Sequence, residues 1–125
     1  MVLKVVYFDI AGRAEATRLT LVAGGQDFED VRLSRDDWMS TWKAKSPTGQ
    51  APLMVLDDGR IIAQSMALQV YAAQKSGLYP SDQVDQARTM ELMACLEDVR
   101  ALTHLGMRLY PARLRVASVL LCPRM

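Results

Sequence analysis

The stretch from Ser46 to Ala72, SPTGQAPLMVLDDGRIIAQSMALQVYA, decides the fold. It reads as loop, strand, tight turn, strand and helix. Pro47 and Gly49 break regular structure ahead of Gln50, and Ala51-Pro52 leads into the apolar run Leu53 to Leu56. Asp57-Asp58-Gly59 is a hairpin turn signal between two short runs, with Ile61 and Ile62 as the return strand. Gln64-Ser65 stands where a helix should start, and Met66, Leu68, Val70 and Tyr71 follow. Two features suit the binding of an extended, peptide-like anion. Pro52 cannot donate to a sheet ladder, so a proline opening a strand frees the backbone of Ala51 to face outward, the more so if its peptide bond is cis. Ser65 at a helix start offers a hydroxyl and free backbone N–H groups, which together hold a carboxylate well.

Upstream of that stretch, Val2 to Phe8 is a continuous apolar run interrupted only by Lys4, as expected of a strand covered on both faces. Asp9 to Gly12 turns the chain. Arg13 to Ala23 reads as a helix with Ala16, Leu19, Val22 and Ala23 on its apolar side, ended by Gly24-Gly25. Phe28 to Leu33 is a second strand, with Val31 and Leu33 on one face. Ser34 is an N-cap for a short helix whose first turn holds Asp36 and Asp37. The order through residue 80 is therefore βαβα-ββα. Parallel strands joined by a crossover, with an antiparallel hairpin added, give an α/β sheet of the thioredoxin-like kind.

Gly77 and Pro80 close this part, so residues 1–80 are expected to form one domain and 81–125 a second, partial one. Ser81-Asp82 caps a long helix from about Gln83 to Leu109. Leu92, Leu96, Val99, Leu102 and Leu105 recur on it at helical spacing, and Met90, Met93 and Met107 add adaptable apolar surface. Core packing is the plainer reading of that stripe. Beyond it, Arg108, Arg113, Arg115 and Arg124 interrupt apolar residues without period, and Pro111 breaks the helix. This is the incomplete start of an all-helical domain followed by an irregular tail.

The length of 125 residues fits one domain and the remnant of another, and half the residues are apolar, enough for a core. A net charge of +1 gives no electrostatic argument for nucleic acid or a membrane surface. No apolar run approaches membrane-spanning length, and the opening MVLKVVYF lacks the pattern of a signal peptide. Cys95 and Cys122 lie far apart without CxxC spacing, which fits a reducing compartment and neither a metal site nor a redox dithiol. A single histidine, His104, builds no multi-histidine metal site. A cytoplasmic location without a metal is the expectation.

Taken together, YFDIAGRAE, the region of Trp38 and Lys43, SPTGQAPLMV and DDGRIIAQSMAL resemble the N-terminal domain of cytosolic glutathione transferases. The likeness is closest to the sigma class, which includes the glutathione-dependent prostaglandin D synthases. It covers about residues 2 to 80 and runs weakly to about residue 105. The electrophile-binding half of such a protein would lie in further helices, so the chain reads as C-terminally truncated.

The resemblance implies a site. Tyr7 matches the catalytic tyrosine that donates a hydrogen bond to the glutathione sulfur; a strand-end tyrosine packed in the core is the alternative. Arg13 matches an arginine supporting the site beside it. Trp38 and Lys43 match donors to the glycyl carboxylate, although their spacing is one residue longer than usual and Trp42 occupies the alternative alignment. Gln50 and Ala51 match the segment whose backbone pairs with the cysteinyl part like an added strand, Pro52 matches the cis-proline, and Gln64 and Ser65 match the γ-glutamyl site. On the long helix Glu97 and Asp98 fall where a partner subunit supplies an acidic residue, which makes Asp98 the candidate across a homodimer interface. The implied function is transfer of glutathione, its thiol activated as thiolate, to a hydrophobic electrophile. The alternative is a non-catalytic protein that keeps the glutathione fold. A thioredoxin-like redox role is disfavoured, because Tyr7 and Phe8 stand near where the redox cysteines would need to be.

Overall fold

Val5, Val6 and Tyr7 are buried one after another in β1 (Lys4–Phe8), as a strand covered on both faces requires. A computed structural model describes residues 2–109, and the side chains of residues 2–102. Pro111, Arg113, Arg115, Cys122 and Arg124, and with them the tail read as irregular, lie outside the described residues; so do the side chains of His104, Leu105, Met107 and Arg108. After β1 a 3-10 turn (Gly12–Ala14) runs into α1 (Glu15–Ala23), then β2 (Glu29–Leu33) and α2 (Arg35–Asp37). That helix continues as a π turn (Trp38–Trp42) and a 3-10 turn (Lys43–Lys45) before β3 (Leu53–Val55), β4 (Ile61–Ala63), α3 (Ser65–Lys75) and α4 (Gln83–Leu109).

The sheet runs β2-β1-β3-β4. β1 pairs with β2 in parallel, with Val6 opposite Val31, and with β3 antiparallel, with Val6 opposite Leu53. The β3–β4 pair is the antiparallel hairpin read from Asp57-Asp58-Gly59. The fold is the α/β, thioredoxin-like one that the sequence predicts, with α4 starting a helical part. Met1–Pro80 and Ser81–Met125 are two separate units.

Each face of the sheet has its own core. Val5, Tyr7 and Met54 pack with Leu21 of α1 and with Leu68 and Ala72 of α3. On the other face Val6, Leu33 and Leu53 pack with Trp38. Alternation along β1 sorts these residues between the faces. Ser34 caps α2 as expected: the Asp37 N–H donates to Ser34 Oγ at 3.1 Å, and the Ser34 N–H returns a bond to Asp37 Oδ2 at 3.2 Å.

The inward face of α1 is a correction. Leu19 and Val22 are exposed, while Ala14, Thr17, Arg18 and Leu21 are buried. Those four recur at i, i+3, i+4 and i+7, so they form a helical face as regular as the expected one. Gly24 does more than stop this helix: a side-chain carbon there would meet Ser76 Cβ at 2.2 Å, so α1 and α3 approach closely at their C-terminal ends.

Asp82 opens α4, its Oδ1 accepting from the N–H groups of Val84 at 2.9 Å and Asp85 at 3.1 Å. Leu92, Leu96, Val99 and Leu102 are exposed, so this stripe is not core among the described residues.

Candidate functional site

Four stretches of the chain converge on one cleft of about 440 Å³. The end of β1 and the turn after it supply Phe8 and Arg13, and the π turn supplies Trp38. The loop before β3 supplies Gly49, Gln50, Ala51 and Pro52, and the start of α3 supplies Gln64 and Ser65.

The loop is built by its own serine. Ser46 Oγ donates to the Gln50 carbonyl at 2.8 Å and accepts from the Gln50 N–H at 3.1 Å. That closes the turn through Gly49 and leads the chain through Gln50, Ala51 and Pro52 into β3. The Ala51–Pro52 peptide bond is cis. Gln64 reaches back across the hairpin, its Nε2 donating to Gln50 Oε1 at 3.4 Å. Its backbone is unusual, with φ of 78° in a residue that is not glycine, a conformation that costs about 1–3 kcal/mol and clusters at ligand sites.

Gln64 occupies the N-cap position of α3, without a side-chain cap bond, and Ser65 is the first helical residue. The first N–H groups of a helix have no partner within it, and Ser65, buried except at the cleft, sits among them. Helix dipole, N–H donors and hydroxyl together make an anion seat.

Tyr7 lies just behind this wall. It is 8% exposed and is not among the residues that line the cleft. The backbone N–H of Arg13 donates to its hydroxyl oxygen at 3.4 Å, so the phenol accepts that bond with its oxygen while its own O–H can donate elsewhere. Gly12, with φ of 47°, lies against the ring. Trp38 is buried and meets Phe8 edge to face with ring centres 6.0 Å apart.

Some expected residues stand apart. Lys43 is exposed at the start of the last 3-10 turn and does not line the cleft. Trp42, its alternative, packs against the core around Val6, and Lys45 Nζ sits 4.8 Å from its ring centre. Asp98 is exposed on α4, in the second unit; its neighbour Glu97 accepts from Arg100 Nη1 at 2.7 Å. Sequence reading missed Phe8 and Gly49 in the cleft, Ser46 behind the loop and Gly12 against Tyr7. The signal for Ser46 is a serine four residues before a required loop carbonyl, the spacing of a side chain that closes a turn.

Among the described residues there is no group of three or more His, Cys, Asp or Glu side chains placed to hold a metal ion. No helix among them is long and apolar enough to cross a membrane.

Residues 3–74 match the family of the glutathione S-transferase N-terminal domain. Glutathione S-transferase 1 of Ascaris suum is 38% identical over 98 residues, covering 78% of this chain and 47% of that protein. Hematopoietic prostaglandin D synthase of Gallus gallus is 37% identical over 95 residues, covering 76% of this chain and 47% of that protein. Among solved structures, that of monomeric Na-GST-3, a glutathione S-transferase of the hookworm Necator americanus, superposes with a TM-score of 0.79 at 32% identity, covering 90% of this chain and 55% of that one. The chain thus spans about half the length of the proteins it matches.

Proposed function

This chain belongs to the glutathione S-transferase family, and from that membership we propose that it binds glutathione in the cleft between Gln50 and Ser65 and activates its thiol for attack on hydrophobic electrophiles. The observation that carries the proposal is the convergence of Trp38, Gln50, Ala51, Pro52, Gln64 and Ser65 around one opening. An extended tripeptide with a carboxylate at each end needs such an arrangement. One carboxylate is seated at the N-terminus of α3, with Gln64 and Ser65. The cysteinyl backbone pairs beside Gln50 and Ala51 as an added strand, next to Pro52. The second carboxylate is directed toward the Trp38 indole, with Lys43 as the further donor. The thiol then points toward the end of β1, where Tyr7 donates to sulfur and Arg13 supports the charge.

In the reaction the glutathione sulfur forms a bond to the electrophilic carbon, the leaving group departs with its electron pair, and the thiol proton passes to solvent. A free thiol has a pKa of about 8.5 and is only a few per cent thiolate at neutral pH. Lowering it by about two units needs roughly 2.7 kcal/mol of preferential thiolate stabilisation. A phenol donor in a site of low dielectric is well suited to supply much of it.

The wider proposal follows the family. We read the chain as sigma-like, on its likeness to a prostaglandin D synthase, and as acting in detoxification in the cytoplasm without a metal. Dimerisation, with Asp98 serving the neighbouring site, is supported by the exposed Leu92, Leu96 and Val99 of α4. The hookworm relative is monomeric, so light scattering decides this point: a stable monomer would remove Asp98 from the site.

Retention on glutathione resin, followed by conjugation of a chlorinated aromatic acceptor, tests the main proposal. Failure to be retained would overturn it. A second reading, glutathione binding without turnover, is favoured by one observation: Tyr7 is buried behind the cleft wall. Retention without conjugation would establish that reading instead.

A further inference from the structure

Arg18 is a buried cation in the middle of α1, 4% exposed, with more partners than any surface arginine needs. Its Nε donates to Asp30 Oδ1 at 2.9 Å, and its Nη1 to Glu15 Oε2 at 3.1 Å. The same Nη1 reaches the carbonyls of Ile10 at 3.0 Å and Ala11 at 3.4 Å. Its guanidinium carbon stands 6.0 Å from the centre of the Tyr7 ring. Nη2 is buried with no partner among the described residues.

A buried ion group with an orphaned donor is a poor way to gain stability, since an apolar side chain of similar volume would serve packing as well or better. What the guanidinium does here is geometric. The two carbonyls it holds belong to Ile10 and Ala11, and the next two residues are the ones that touch Tyr7. Gly12 lies against the phenol ring and the Arg13 N–H donates to the phenol oxygen. Asp30 in turn fixes Arg18 from β2, and its other oxygen accepts from Arg32 Nε at 2.7 Å. The turn of residues 10–13 is therefore tied through Arg18 to the neighbouring strand.

We propose that Arg18 is a positioning residue for Tyr7, holding the 10–13 turn so that Gly12 and the Arg13 N–H fix the orientation of the phenol hydroxyl. This rests on the reading of Tyr7 as the group that donates to the glutathione sulfur. A planar fork suits this place, because one side chain meets two carboxylates and two carbonyls from Nε and Nη1 together, whereas an ammonium has three donors on a single atom.

The test uses the whole chain with its tyrosines labelled at Cζ with carbon-13, and the variants Arg18→Lys and Arg18→Met. The Tyr7 signal is assigned by its loss in Tyr7→Phe. In ligand-free Arg18→Lys, folded by circular dichroism, the Tyr7 signal should move while the other tyrosine signals hold. Conjugation should then lose roughly tenfold or more in kcat, with KM for glutathione nearly constant, because misplacement of the reacting group is what changes. Arg18→Met should do the same more strongly. A folded Arg18→Lys with an unmoved Tyr7 signal and unchanged kcat would overturn the proposal. Unfolding of Arg18→Lys, which keeps both charge and stem, would also overturn it by making the role one of stability alone. If the parent chain fails to bind glutathione, the transferase reading falls, yet the Tyr7 signal of the ligand-free variants still decides the positioning role.

Discussion

Gly12 lies so close to Tyr7 that a side-chain carbon on it would stand 2.9 Å from Cε1 of the ring and 3.0 Å from the hydroxyl oxygen. Its φ of 47° is also one that other residues adopt at a cost. Gly12→Ala is therefore expected to destabilise the fold by about 1–3 kcal/mol and to displace the phenol. Urea unfolding should show the lower midpoint, and conjugation measured on the folded fraction should fall as well. Full activity with native stability would mean that the turn relaxes freely, and that Tyr7 is not held by it.

Tyr7→Phe separates activation from binding. The ring packs in the core beside Val5 and Met54, and phenylalanine keeps that packing. The hydroxyl faces the sulfur in the proposed complex and no part of the peptide backbone of glutathione. Conjugation should drop by one to two orders of magnitude, roughly the rate equivalent of losing up to about 2.7 kcal/mol of thiolate stabilisation. Titration calorimetry should find glutathione affinity nearly unchanged. Equal rates for both proteins, at a pH where the thiol is mostly protonated, would remove Tyr7 from the role.

Much of this was legible in the sequence because local signals agreed with one another. The hairpin followed from Asp57-Asp58-Gly59 between two apolar runs, and Ser34 with Asp37 marked the start of α2. The face of α1 was misread for a physical reason. Its inward row contains Thr17 and Arg18, so hydrophobicity alone selected Leu19 and Val22, which are exposed. The buried row at 14, 17, 18 and 21 keeps the helical period all the same, so period without hydrophobicity was the available signal. The π turn at Trp38 to Trp42 has no sequence signature of comparable strength. Spacing alone left Trp42 as the alternative to Lys43, whereas Trp38 lines the cleft and neither of those two does.

The capping box of α2 gives a pH prediction. The side-chain and backbone hydrogen bonds from Ser34 hold the Asp37 carboxyl below the ordinary aspartate range. A group depressed in the folded state stabilises above its unfolded pKa and loses that effect as pH falls through its folded value. Asp37→Asn should thus be less stable than the parent at neutral pH. The gap should narrow below about pH 4 and close under more acid conditions. Urea midpoints of both proteins from pH 7 to pH 2.5 measure it, and a gap independent of pH would show that the carboxylate charge is not what matters.

Ser65→Ala tests the anion seat with little interference from folding. Gln64, not Ser65, is the N-cap residue of α3, and the helix start uses no side-chain cap bond. Removing the Ser65 hydroxyl therefore takes away no cap, and the usual cost of about 1 kcal/mol for a lost cap should not appear. What it takes away is a donor at a helix N-terminus that opens on the cleft. A hydrogen bond to a charged group is worth roughly 1.5–3 kcal/mol, so glutathione should bind about ten- to a hundredfold more weakly. Backbone N–H groups of α3 would still meet the carboxylate, so binding should weaken rather than vanish. Calorimetric affinity and thermal unfolding of the same preparation give the comparison. Lost affinity at native stability supports the γ-glutamyl assignment of Gln64 and Ser65, whereas unchanged affinity would move that carboxylate to another part of the cleft.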